Sequence, residues 1–211
     1  MPSETLILAF DTSAAHCAAA LLSGDRVLAE AREDMARGQA ERLVPLLEQV
    51  LREGGHDWPD LSALAVGTGP GNFTGIRIAV SLARGLSLGL SIPAIGVTGF
   101  EALSQGQALP HLATLPAPRD HLYGQLRSAS GASAPQMFPA DQIPADLHPA
   151  NIPLIGAAPG ATPGPANPAP AIARIARARL ALGHPTPPPA PVYLRPADAA
   201  PPRDAPPRII A

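Results

Sequence analysis

No lysine occurs among the 211 residues, so all 15 basic side chains are arginines. This excludes a Walker-type phosphate-binding lysine, a Schiff-base lysine and a lysine general base. Cys17 is the only cysteine. An intramolecular disulfide and a thiolate metal cluster are therefore excluded, and the usage suits a reducing compartment. Aromatic residues are scarce at 3%, although a hydrophobic content of 46% is enough for a core. The longest apolar stretch, residues 76–90, is short for a membrane span and is interrupted by Arg77 and Arg84. No basic segment followed by a signal-peptide hydrophobic core opens the chain. The expectation is a soluble, cytoplasmic protein without a membrane partner.

The chain changes character near residue 110. Of 28 prolines, only Pro2, Pro45, Pro59, Pro70 and Pro93 precede that point. Charge divides there too, with twelve acids against seven arginines before it and five against eight after it. Two units are expected, residues 1–108 and a smaller proline-rich 109–211 with an irregular tail. The net charge of −2 does not suggest an independent nucleic-acid binder.

The first unit is organised around Gly67-Thr68-Gly69-Pro70-Gly71-Asn72-Phe73-Thr74-Gly75. An apolar run at 61–66 precedes it and a long apolar segment follows, so strand, glycine loop and helix meet there. Such a corner can pack tightly or hold an anion at the helix N-terminus. Upstream, residues 6–10, 17–22 and 26–31 read as three strands of an antiparallel meander, with a turn at Ser23-Gly24-Asp25. Residues 39–53 switch to helical period, Leu43, Leu46, Leu47, Val50 and Leu51 sharing one face, with Pro45 in the first turn or at a kink. Gly54-Gly55 ends this helix. The helix from about residue 74 to 90 is apolar over more than half its circumference, which predicts packing on a sheet and on another helix. Residues 92–97 and 100–105 add a strand and a short helix. The resulting order, βββαβαβα, predicts a mixed α/β sheet carrying helices. Later, 112–115 and 122–127 read as strands and 171–182 as a helix bearing Arg174, Arg177 and Arg179, a solvated face or a contact for phosphates. Proline density at 157–170 and from 185 onward argues against regular structure.

Ile7-Leu8-Ala9-Phe10-Asp11-Thr12-Ser13, Glu41-Arg42-Leu43-Val44-Pro45, residues 67–79 and Pro191-Val192-Tyr193-Leu194-Arg195 together resemble the TsaB family of bacterial tRNA threonylcarbamoyladenosine biosynthesis proteins. The resemblance covers 6–105 well, then only 119–125 and 191–195. It implies an actin-like ATPase fold, shared with sugar and acetate kinases, with two subdomains of which the second is reduced. It also implies a non-catalytic scaffold, which pairs with a larger metal-binding homologue that modifies the adenosine beside the tRNA anticodon. A small ATPase joins that complex, so ATP and metal are expected in the partner subunits, and tRNA is met through the complex. The chain alone is expected to form a homodimer. Both pairings are expected to use the two long helices, with Leu43, Leu46, Leu47, Val50, Ile76, Ile78, Ala79 and Leu82 at the interface.

In the larger homologue a His-x-x-x-His pair holds the metal, and the matching positions here are Gly99 and Leu103, which offer no ligand. The six histidines, His16, His56, His111, His121, His148 and His184, show no metal-binding spacing and read as surface or loop residues. Many family members carry His-Ser-Glu where this chain has Gln39, Ala40 and Glu41. Asp11, Thr12, Ser13, Gly69 and Gly71 are candidate nucleotide-binding residues, because an acidic loop after the first strand faces Mg²⁺ and phosphates in nucleotide-binding relatives. The competing reading, favoured by the lack of a lysine or arginine clamp, is a strand-end turn capped by its own side chains. The alternative to a scaffold is a kinase-like or metallopeptidase-like enzyme. Ser13 lacks the Gly-x-Ser-x-Gly elbow of a hydrolase nucleophile.

Overall fold

The computed structural model describes residues 5–149, 152–183 and 187–194. The expectations for His184, Arg195 and the tail beyond residue 194 lie outside the described residues. Strands β1 (Leu6–Asp11), β2 (His16–Ser23) and β3 (Arg26–Asp34) form the expected antiparallel meander. Helix α1 (Gln39–Glu53) follows, then β4 (Ala63–Gly67), α2 (Phe73–Leu90), β5 (Ala94–Val97) and α3 (Gly99–Ser104). Strands β4 and β5 extend the sheet in parallel from β1, giving the order β3-β2-β1-β4-β5. This is the actin-like arrangement.

The run Leu-Ile-Leu-Ala-Phe in β1 is apolar throughout because both faces of the sheet are covered. Leu6, Leu8 and Phe10 pack beneath α1 and α2, while Ile7 and Ala9 point to the opposite layer. That second layer is α4 (Ala169–Ala181), whose Ala169, Ile172, Ala173 and Ala176 meet Ala9, Ala18, Ala20 and Ala65. Alanine on both sides lets the helix lie close to the sheet. The expected division at residue 108 assigns this helix to the second unit, but its apolar stripe finds its cover on the first sheet. Two of its three arginines are occupied as well: Arg177 pairs with Asp25, and Arg179 bridges the Gly96 carbonyl and Glu101.

The second sheet contains β6 (His111–Ala117), β7 (His121–Ser128), β8 (Gly131–Ala132), β9 (Gln136–Pro139) and β10 (Leu154–Gly156). β6 and β7 pair antiparallel, β10 runs parallel to β6, and both β8 and β9 pair with β7. The last three strands carry no periodic signal and are two to four residues long, so sequence reasoning missed them. Helix α3 joins the two units, with Phe100 and Leu103 packed among Ala113, Tyr123 and Ile155.

Pro45 lies inside α1, beyond the first turn, and leaves the Glu41 carbonyl without its intrahelical donor. Helix α2 is 18 residues long with a mean hydropathy of 1.2, which meets a membrane-span test by length and composition. One of its faces nonetheless packs on the sheet through Ile76, Ala79, Val80 and Ala83.

Candidate functional site

Two surfaces remain to be read: the outer side of α1 and α2, and the cleft between the sheets. The expected interface residues divide according to which side of their helix they occupy. Leu43, Leu46, Leu47, Val50, Ile76 and Ala79 are fully enclosed within the chain's own core. They are not available to a partner, because the sheet beneath requires the same apolar stripe that the periodicity revealed. Ile78 and Leu82 stay half-buried at the core's edge. Around them lie Val44, Gly85, Leu88 and Gly89, all exposed, with Leu88 open over 84% of its surface. A Cβ added at Gly85 or Gly89 would meet nothing within 4 Å. The outer side of α2 is thus an apolar stripe with two glycines one helical turn apart, a pattern that admits close approach of another helix.

At the other end of α2 the glycine corner is consumed by packing. A Cβ on Gly71 would lie 2.1 Å from the Ser13 carbonyl oxygen, and one on Gly75 would lie 1.9 Å from that of Thr12. The Asn72 amide donates to Ser13 O at 2.7 Å, and Thr12 Oγ1 donates to Gly75 O at 2.6 Å. Gly69, at φ 86°, sits against Ile76. Of the candidate nucleotide residues, Thr12, Gly69 and Gly71 therefore join β1 to α2. Only Asp11 and Ser13 reach the cleft together with Gly71's open side.

Asp11 is 3% exposed and anchors a turn of its own, as the capped-turn reading expects. Its Oδ2 accepts from the Ser13 amide at 3.1 Å, from the Ser13 hydroxyl at 2.9 Å and pairs with His16 Nε2 at 2.8 Å. Ser13 and His16 both contact the carboxylate, with no bond between them, so this is not the relay of a serine hydrolase. His16, only 8% exposed on β2, and His111, fully buried between the Ala108 carbonyl and Ser104 Oγ, depart from the surface reading given to all six histidines. Each is enclosed because a partner within the chain satisfies its ring. Gln39, at the family's histidine position, is also buried and donates from Nε2 to the carbonyls of Ala14 and His16. It ties the start of α1 to the Asp11 turn.

The segment 187–194 runs beside this corner. The Val192 amide donates to Thr68 O, and Tyr193 stacks on Phe73 with 4.9 Å between ring centroids. Arg77 covers the Phe73 ring at 3.7 Å and donates from Nε to Tyr193 Oη. The resemblance had pointed to Tyr193, but only the fold brings it to α2. These rings, together with α3 and β6, border a cleft of about 1080 Å³. Gly99 and Leu103 face apolar neighbours, Gly99 meeting Leu115, and among the described residues no three His, Cys, Asp or Glu side chains gather as a metal-ligand set.

Residues 30–123 match the TsaD family, tRNA N6-adenosine threonylcarbamoyltransferase. The tRNA threonylcarbamoyladenosine biosynthesis protein TsaB of Escherichia coli is 40% identical over 100 residues, 47% of this chain and 43% of the relative. Its Bacillus subtilis counterpart is 38% identical over 98 residues, 46% and 43% of the two chains. The chain thus spans less than half the length of the curated relatives it matches. Among solved structures, YeaZ from Pseudomonas aeruginosa superposes with a TM-score of 0.75 at 27% identity, covering 90% of this chain and 100% of the other. The fold is thus matched along nearly the whole chain, and the first unit is similar in sequence to TsaB proteins.

Proposed function

We propose that this protein is a non-catalytic subunit in the synthesis of threonylcarbamoyladenosine on tRNA. It supports a larger, metal-binding homologue by docking through the outer faces of α1 and α2. The observation that carries the reading is the stripe of Ile78, Leu82, Gly85, Leu88 and Gly89, of which the chain's own fold leaves the last three exposed and the first two half-buried. Burying a stripe of this kind against a second helix is the ordinary driving force for association. A second copy of the chain can use the same stripe, so a homodimer forms when the larger partner is absent. The metal and the ATP belong to the partner subunits, and tRNA is reached in the assembled cytoplasmic complex.

The reading is tested by mixing the purified chain with the larger homologue and following mass by light scattering, with tRNA modification assayed in the same samples. Formation of a defined complex whose activity requires this chain is expected. Absence of association, with ATP or peptide turnover by this chain alone, would replace the scaffold reading with an enzymatic one.

A further inference from the structure

The outer side of α1 and α2 carries two sets of charge that the chain does not use itself. Glu41 and Glu48 stand exposed on α1, and Arg77 and Arg84 stand exposed on α2, whose sequence includes no acid. Among the described residues, Glu41, Glu48 and Arg84 make no ion pair and no side-chain hydrogen bond. Arg77 is fixed without being neutralised. Its guanidinium lies 3.7 Å over the Phe73 ring, and Nε donates to Tyr193 Oη at 2.9 Å. Its two Nη groups have no described partner, and a planar fork held in this way suits a carboxylate bound at two points. The side-chain entropy that such a contact costs is already given up in the isolated chain.

The two sets share a register. A Cβ on Gly75 would lie 3.3 Å from Gln39 Oε1, so the first turns of α1 and α2 lie side by side at the Asp11 end of the sheet. Each helix leads back to the start of a strand parallel to β1, so both run in the same direction. Counted from Gln39 and Gly75, Glu41 and Arg77 both stand two residues on, and Glu48 and Arg84 both stand nine residues on. Within each helix the two charges are seven residues, about 10 Å, apart. Arg52 stands farther along α1, level with Leu88 and outside both pairs.

Arg77 leans towards Tyr193, in the segment whose Pro189 lies against Gly96 of β5, so the arginines line the flank of α2 away from α1. Across the surface run an acidic ridge on α1, the apolar stripe and a basic flank on α2. This order is self-complementary about a two-fold axis parallel to the helices, because that rotation exchanges the acidic and basic sides and keeps each residue at its level. An axis across the helices would set α1 on α1, with Glu41 against Glu48.

We infer that a second copy of this chain docks here about a two-fold axis parallel to α1 and α2, each copy's Glu41 meeting the other's Arg77 and its Glu48 meeting the other's Arg84. The inference rests on the reading that the stripe can bind a second copy, and adds the orientation and the charges that select it.

Sedimentation equilibrium of the full chain and two double variants tests it. Glu48→Arg with Arg84→Glu reverses one pair and restores it across the axis, so dimerisation at the parental strength is expected. Glu41→Arg with Arg84→Glu has the same composition and net charge but sets like charges together at both levels. It is expected to lose about tenfold or more in affinity, since like charges across an interface are costly. Parental dimerisation should also weaken as salt is raised. Equal association of the two variants would overturn the orientation while leaving the stripe as a contact. A monomeric parent at all accessible concentrations would overturn the inference and the homodimer reading together. Both variants alter exposed side chains and leave Arg77 in place, and circular dichroism confirms that each is folded.

Discussion

Gly71 packs against Ser13 so closely that a Cβ on the glycine would fall 2.1 Å from the serine carbonyl oxygen. The neighbouring Asn72 amide donates to that same oxygen, so the two loops cannot separate without losing that bond. Gly71→Ala is expected to destabilise the chain by about 1–3 kcal/mol, the usual cost of overpacking. Urea unfolding measures it, and an unchanged midpoint would show that the loops are free to part. Gly75→Ala, facing the Thr12 carbonyl, should behave alike.

Gly85 presents the opposite environment, since a Cβ there meets nothing within 4 Å. In a helix interior Gly85→Ala should raise the stability of the isolated chain by about 1 kcal/mol through backbone entropy. Gly85→Trp should leave melting nearly unchanged but block close approach of a second helix. If light scattering finds the tryptophan variant associating as the parent does, the stripe is not the contact.

Leu46 and Leu82 separate core from surface on neighbouring helices. Leu46→Ala should cost about 2–5 kcal/mol, because a fully enclosed leucine leaves a cavity. Leu82→Glu or Ile78→Glu should instead abolish pairing while the monomer remains folded. Circular dichroism and light scattering on the same samples distinguish the two effects, and association of both glutamate variants at parental strength would remove these positions from the interface.

Cys17 provides a pH test. Burial, with a smaller contribution from Glu33, pushes its thiol up to about 11 from an ordinary 9.0. The unfolded chain therefore releases this proton before the folded one does. The contribution to stability is complete below the ordinary thiol value and is lost as pH rises towards about 11. The urea midpoint should fall across that window, and Cys17→Ala should remove this part of the slope. Alkylation of the native chain should be slow at neutral pH, because the thiolate is the reactive form.

Local chemistry along the chain was enough to place β1 to β5, α1, α2 and α3 in order. Strands buried on both faces read as continuous apolar runs, and the period changes where a helix begins. Asn72 caps α2 through the Gly75 amide, and Gly54 closes α1, both as their residue types suggest. The capped turn at Asp11 was legible for the same reason, since an aspartate bonds to backbone only two residues away. The resemblance of residues 6–105 to TsaB proteins rested on these same segments.

Tertiary structure alone decided what lies far apart in sequence. A helical projection shows that α2 is apolar over a wide arc, but only the sheet's position determines that Ile76 and Ala79 are core while Leu88 is outside. The return of α4 to the first sheet depends on matching alanines more than 100 residues apart, and no local period records that match. Tyr193 meets Phe73 and Arg77 because strands and loops converge at one end of the sheet. Sequence thus determined the elements, whose causes are local, while burial and pairing were settled by contacts that exist only once the chain has closed on itself.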